Sequence, residues 1–513
     1  MQTHPILQRR ANGRGRLASL LATVLLGATM TAQAVTVAPS DRQDINLGAR
    51  PWKYTKQAVQ NPNDPVVYAP LPNGDDGAIP TYNDSAWLTV GIPHAANDFT
   101  TFINQESGGG QGSLDGETSW YRVKLDDSAK FAGKKVMVEF EGAHTGDRVY
   151  INGHFVPGTG VLNQAGQPDA NATHVIGFLP HIVDLTPFLK FDGTDVLAVK
   201  VSRGGGGFFE DPGFSGSFRF GQAEAGLFRP VKLHVTNFVH IPENVYAGQN
   251  TWGTYVGTQS LSADHSTATV RVQTNIANET NAAKTVTLTT QIVDADGNVV
   301  KSDQQQKTLP ANFVPGNETP VFDESLQVSN PHLWYPNNSV NGKPYLYKVL
   351  HTVSIDGVVV DAKQSTLGIR VITWDKDFPY VNGAKQYMWG GSGRYDYPAL
   401  GSSVPEEQQW RDLQQLAAGG GNLWRPGHSP SSPEFVEAAD ALGVFIVQPS
   451  GDGENGFATP CKAGDQQCND MWTIKREVHR DIVIRDRSHP SILAWEHDNG
   501  VMSTPFAVEL RAG

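Results

Sequence analysis

From about residue 35 to residue 240 the chain is built of short apolar and alternating runs, such as Lys135-Val136-Met137-Val138-Glu139-Phe140 and Val196-Leu197-Ala198-Val199-Lys200-Val201, divided by clusters of Gly, Asn, Asp and Pro. A period of two puts one face of each run on a core, which predicts the antiparallel strands of a β-sandwich. Residues 241–370 keep that rhythm in Ala268-Thr269-Val270-Arg271-Val272 and Thr285-Val286-Thr287-Leu288-Thr289, with turn signals at Asp294 to Gly297 and Asp356-Gly357. A second, smaller sandwich is expected there. From residue 371 to residue 513 helical and short apolar patterns alternate, the order that builds a parallel sheet by βαβ steps.

The elements of that third stretch can be placed. Tyr387-Met388-Trp389 is the expected first strand. A helix capped by Ser403, with Pro405 in its first turn, buries Trp410, Leu413, Leu416 and Ala417 and ends at Gly419. Asn422-Leu423-Trp424 reads as strand two. A second helix runs from Pro433, behind Ser432, to a stop at Gly443 and leads into the strand Val444-Phe445-Ile446-Val447. A third helix carries Ile474, Val478 and Ile482 toward the strand Ile492-Leu493-Ala494-Trp495, and Val501 opens a fourth.

Residues 1–34 read as a secretory signal: four arginines and no acid, an apolar run from Leu17 to Met30, then Ala32-Gln33-Ala34 as a small-x-small cleavage site. The run is too short to cross a bilayer core of about 30 Å, so the expected product is periplasmic or secreted and free of the membrane once the signal is cleaved. Loss of the four arginines lowers a formal net charge of -12 by four more units, and an acidic surface of that kind repels nucleic acid. The glycine runs 108–110 and 204–207 neither open a helix nor carry a phosphate-loop lysine. In an oxidising compartment Cys461 and Cys468 are expected to close a local disulfide; metal binding by the two thiolates is the weaker alternative. No cofactor and no metal site are expected.

An ordered set of motifs then resembles glycoside hydrolase family 2, which includes β-galactosidases, β-glucuronidases and β-mannosidases. In the first stretch these are Asp84-Ser85-Ala86-Trp87, Pro93-His94, Trp120-Tyr121-Arg122, Phe140-Glu141-Gly142, Val149-Tyr150-Ile151-Asn152-Gly153 and Gly226-Leu227-Phe228-Arg229. In the second they are Leu333-Trp334-Tyr335-Pro336, Pro344-Tyr345-Leu346-Tyr347 and Leu367-Gly368-Ile369-Arg370. The third offers Asn382-Gly383, Asn422-x-x-Arg425-x-x-His428-x-Pro430, Ala439-Asp440-x-x-Gly443 and residues 485–492. The resemblance implies a jelly-roll-like sugar-binding sandwich (35–240), an immunoglobulin-like sandwich (241–370) and the first half of a (β/α)8 TIM barrel (371–513). It implies an exported enzyme that cleaves O-glycosidic bonds of β-galactoside-like oligosaccharides or polysaccharides.

Retaining hydrolysis of that kind uses two carboxyl groups about 5 Å apart at the C-terminal ends of barrel strands. By the resemblance the acid/base is a glutamate directly after Asn499, where this chain has Gly500, and the nucleophile belongs to a later strand, beyond residue 513. Asp498, at most about 7 Å along the chain from position 500, is the candidate substitute acid, and Glu496, about 13 Å away, takes that role only through a bulge or another substrate pose; the alternative for both is a solvated or salt-bridged loop acid. The resemblance also implies that Arg425 pairs with the nucleophile, that His428 and Asn499 line the sugar site with Asn422, and that Arg394 stands where relatives carry histidine. Trp389, Trp424 and Trp495 are candidate stacking platforms for a sugar ring. Asp452 and Glu454 would hold a hydroxyl or a cation, or form a plain polar loop. The non-enzymatic alternative is a carbohydrate-binding protein that keeps the sandwiches. A half barrel exposes strand edges, so the isolated form is expected to need a partner chain, self-association or the missing half, with pairing of two such halves as a further alternative.

Overall fold

The computed structural model describes residues 35–56, 67–96, 118–143, 146–158, 179–202, 226–245, 251–316, 319–393, 397, 400, 403–427, 429–449 and 479–496. Ten strands come first: β1 (Gln43–Asn46), β2 (Trp52–Lys56), β3 (Leu88–Val90), β4 (Thr118–Leu125), β5 (Lys135–Phe140), β6 (Gly146–Ile151), β7 (His154–Val156), β8 (His181–Asp184), β9 (Asp195–Ser202) and β10 (Val231–Thr236). They form two antiparallel sheets, in the orders β1-β10-β5-β8 and β3-β2-β4-β9-β6-β7. Val136, Val138, Leu233 and Val235 of the first sheet meet Trp52, Tyr54, Val123 and Val199 of the second in one core. The motif residues of this stretch hold the sandwich together. Arg122 Nε donates to Asp84 Oδ2 at 2.8 Å, and His94 Nδ1 lies 2.9 Å from the Tyr121 hydroxyl.

The next nine strands are β11 (Val239–His240), β12 (Thr254–Leu261), β13 (Thr267–Thr274), β14 (Ala277–Asn278), β15 (Lys284–Val293), β16 (Val299–Leu309), β17 (Phe322–Ser329), β18 (Tyr347–Ile355) and β19 (Val358–Leu367). Sheets β12-β13-β17 and β16-β15-β18-β19 face each other as a second sandwich. The two-residue hairpin turns Asn152-Gly153 and Asp356-Gly357 have positive φ at both positions, the geometry that suits the twist of paired strands and that Asn, Asp and Gly adopt at least cost.

A small sheet, β20 (Ile372–Trp374), β21 (Pro379–Val381) and β22 (Ala384–Lys385), precedes four strands that pair in parallel in chain order: β23 (Gly390–Gly393), β24 (Leu423–Pro426), β25 (Phe445–Pro449) and β26 (Ile492–Glu496). Helix α1 (Glu406–Ala418) joins β23 to β24, and α2 (Pro433–Leu442) joins β24 to β25; residues 479–486 form α3. This is the first half of a (β/α)8 barrel. Helix α2 begins and ends where its sequence directs: the Ser432 hydroxyl accepts from Phe435 N at 3.3 Å, and Gly443 closes it at φ 70°.

Two expected boundaries move. Helix α1 starts at Glu406 without a side-chain cap, because a proline disfavours helical geometry in the residue before it and Pro405 is itself extended at ψ 151°. Ser403 is therefore too far back to cap it. Strand β23 begins at Gly390 rather than at Tyr387, because the Asn422 side chain takes the backbone groups that a neighbouring strand would have paired. Trp389 N donates to Asn422 Oδ1 at 2.8 Å, and Asn422 Nδ2 donates to Tyr387 O at 2.9 Å.

Candidate active site

Parallel strands bring their C-terminal ends to one rim, so the last residues of β24 and β26 are neighbours in space. Leu423, Phe445 and Leu493 share one cluster inside the barrel sheet, whereas Trp424, Ile446, Ile492 and Trp495 pack with Phe435 of α2 in the helix layer. Alternation along β24 puts Arg425 on the inner face with Leu423. In β26 strict alternation would place Glu496 with Ile492, toward the helices. The register instead slips by one residue between the pairs Ile446/Ile492 and Val447/Ala494, a bulge that turns every later side chain over. Ile492 and Trp495, three apart, thus share the helix layer, and Glu496 faces inward.

There it meets Arg425. Arg425 Nε donates to Glu496 Oε2 at 2.7 Å, and Nη2 donates to Oε1, so one guanidinium grips both carboxylate oxygens. The side chains are 26% and 14% exposed, which leaves the pair sheltered yet open on its rim side. The partner that the resemblance assigns to Arg425 is a nucleophile from a later strand; among the described residues that partner is Glu496.

The other expected site residues fall into three groups. Asn422 is 3% exposed and lies ahead of β24, at the end of the strand opposite the rim; its amide also donates to Asn337 O at 3.3 Å. With its amide given to backbone there, it joins strands and does not line the rim. Trp495 and Trp424 belong to the helix layer, the Trp424 ring 6.2 Å from that of Phe435, so neither forms a subsite floor; Trp389 is 68% exposed. Arg394, His428, Asp452, Glu454, Cys461, Cys468, Asp498, Asn499 and Gly500 lie outside the described residues.

What the motifs chiefly do is lock the loops behind the rim. Asp440 accepts from His489 Nδ1 at 2.6 Å and from Ser491 N at 2.9 Å, while its own carbonyl accepts from Trp334 Nε1 at 2.9 Å. Three motifs from two domains thus meet at one aspartate. The partly buried His489 has its pKa pushed up to about 9: desolvation opposes its charge, and the Asp440 carboxylate overrides it. The loop between β24 and α2 is fixed at Ser431, whose carbonyl accepts from Arg485 Nη2 at 2.6 Å and whose N–H donates to Gln448 Oε1 at 3.2 Å. Gln448 is a residue that sequence reasoning missed; a fully buried amide at a strand end is its only signal, and burial is not visible in a sequence.

Among the described residues one group has metal-like donor spacing, Asp44, His234 and Glu243 with donor atoms within 4.8 Å of one another. It belongs to the sandwiches. His234 contacts Asp44 and Glu139 at 2.7 Å each, and although burial opposes the charge, Glu243 and these two carboxylates push its pKa up to about 10. Arg42 and Lys363 both bond Glu243. An imidazolium and two fixed cations already neutralise these carboxylates, so the group is an ion network.

Two β-sandwiches followed by parallel βα units, with an ion pair at the strand ends, define a multidomain protein whose third part is built as a (β/α) barrel is. Residues 254–370 match the family model for glycosyl hydrolases family 2, and residues 373–505 match the model for the TIM barrel domain of that family. The chain belongs to glycoside hydrolase family 2. It is 32% identical to a beta-glucuronidase of Formosa agariphila over 84% of this chain and 41% of that protein. It is 28% identical to the beta-galactosidase BoGH2A of Bacteroides ovatus over 93% of this chain and 48% of that enzyme. A solved structure of a family-2 beta-glucuronidase superposes with a TM-score of 0.73 at 29% identity, over 93% of this chain and 45% of that one. The chain thus spans less than half the length of these relatives.

Proposed function

We propose that this chain carries the saccharide-recognising modules and the first half of the catalytic barrel of an exported family-2 glycosidase that acts on a β-galactoside or a β-glucuronide. The observation that carries the reading is the Arg425–Glu496 pair, turned inward at the C-terminal ends of β24 and β26, two parallel strands on either side of β25. The rim of a (β/α)8 barrel is where such enzymes assemble their sites, and the two relatives named above are a beta-glucuronidase and a beta-galactosidase by name. The apolar run and cleavage pattern of residues 1–34 support export to the periplasm or beyond, and the shift in rhythm supports domain limits at 240 and 370.

Hydrolysis needs two carboxyl groups on opposite sides of the glycosidic oxygen. Among the described residues the rim presents Glu496 alone, and position 500 is glycine. The expected result for the 513-residue chain is therefore binding without turnover: calorimetric titration with methyl β-D-galactoside or methyl β-D-glucuronide gives a measurable affinity, and nitrophenyl β-glycosides are not cleaved. Absence of binding to either glycoside would remove the saccharide reading. Turnover abolished by Asp498→Ala would instead make Asp498 the acid and the chain an enzyme as it stands.

The second reading is a non-catalytic carbohydrate-binding protein, favoured by Gly500. A strand-end glutamate found in further βα units of the same reading frame would exclude it.

A further inference from the structure

The loop that follows Arg425 is held from outside the barrel as well as from within it. Arg229, 7% exposed and at the end of the Gly226-Leu227-Phe228-Arg229 motif, donates from Nη2 to Pro430 O at 2.6 Å, across 201 positions of sequence. Lys232, three residues on in β10, bonds Glu141 of its own sandwich and lies 3.3 Å from Glu434 Oε1 in the first turn of α2. Glu141 and Glu434 are both buried. Burial and the nearby Glu434 charge hold Glu141 well above the ordinary carboxylate range, whereas Glu434, although burial opposes its charge, is held below that range by Lys232. Glu434 also lies at the positive end of α2.

These contacts have a direction. The barrel's own fasteners grip the loop at Gly427, whose N–H donates to Gly393 O at 3.0 Å, and at Ser431 through Arg485 and Gln448. Between them Arg229 takes the carbonyl of Pro430, a residue with no N–H to contribute to the loop's own bonding. A charged donor to a buried carbonyl is among the stronger hydrogen bonds, and its loss leaves that carbonyl buried and unmatched.

We propose that Arg229, backed by Lys232, is a positioning residue through which the first sandwich sets the path of residues 429–432, and with it the Arg425 side of the saccharide site. What the site binds rests on the family-2 reading above; the positioning itself does not.

Amide hydrogen exchange on the full chain separates the two. In Arg229→Gln, peptides spanning 425–436 exchange faster by about tenfold, the loss expected for one hydrogen bond from a charged donor, while peptides spanning 135–140 and 444–449 keep their protection. Arg229→Lys recovers part of the protection. If core peptides also lose protection, Lys232→Gln, which spares the Pro430 bond and loosens the α2 end of the same clamp, provides the comparison. Unchanged exchange of 425–436 in both variants overturns the proposal. With methyl β-D-galactoside or methyl β-D-glucuronide as probe, Arg229→Gln weakens binding while the Gln448 and Arg485 contacts stay in place; a loosened loop with unaltered affinity also overturns it. A wild-type chain that binds neither probe defeats the glycoside reading, and the exchange result still decides the positioning role.

Discussion

Glu496 has both carboxyl oxygens engaged by the one guanidinium of Arg425, a fixed geometry that suits charge stabilisation or sugar orientation. His489 and Asp440 form a second charged pair, whose contribution to stability depends on pH. His489 gains the Asp440 carboxylate on folding, and its pKa rises from 6.5 to about 9. Its contribution is then complete below about pH 6.5 and is lost as pH climbs through 9; from the size of the shift it amounts to about 3 kcal/mol at the upper limit. Asp440→Asn should lower the melting temperature markedly at pH 7 and much less above pH 9, as a thermal-melt series across pH would show. A constant deficit at every pH would place the loss in packing.

Among elements, α2 was legible end to end because Ser432, Pro433 and Gly443 act within one turn of where they stand. The β26 bulge was not, because it is defined by pairing with β25 and not by any residue of its own. Strand β17 shows the opposite case. Its burial alternates without a break, yet one inward position is Glu324, 3% exposed, with Oε2 accepting from Thr290 Oγ1 at 2.7 Å. Burial, together with the neighbouring Asp303 and Asp323, pushes its pKa up to about 7. A carboxyl raised on folding helps stability while protonated, so its benefit is full below about pH 4.5 and gone above pH 7. Glu324→Gln is accordingly expected to be near neutral at pH 5 and stabilising by about 2–3 kcal/mol at pH 8, measured by urea unfolding at the two pH values. Equal stability at pH 8 would mean that the carboxyl ionises in the fold without cost.

Over the whole molecule, the barrel sheet ends at β23, whose outer edge has no strand partner among the described residues, and Tyr387 and Trp389 just before it are 59% and 68% exposed. No described helix is long and apolar enough to cross a membrane. An open edge beside exposed aromatic rings favours chain–chain contact. Sedimentation velocity of the 513-residue chain is therefore expected to show association that grows with concentration and is reduced by Trp389→Ser; a monomer at all concentrations would count against it. Element types, their order, the acidic charge and the family motifs were written in the sequence, because periodicity, capping and turn chemistry act between residues a few positions apart. Three matters were decided only by the tertiary structure: that Asn422 joins strands at the end opposite the rim, that Glu496 turns inward to Arg425, and that Arg229 reaches Pro430. Each depends on groups 33 to 201 positions apart, and no local pattern encodes which distant backbone atom will be left needing a partner once the layers have packed.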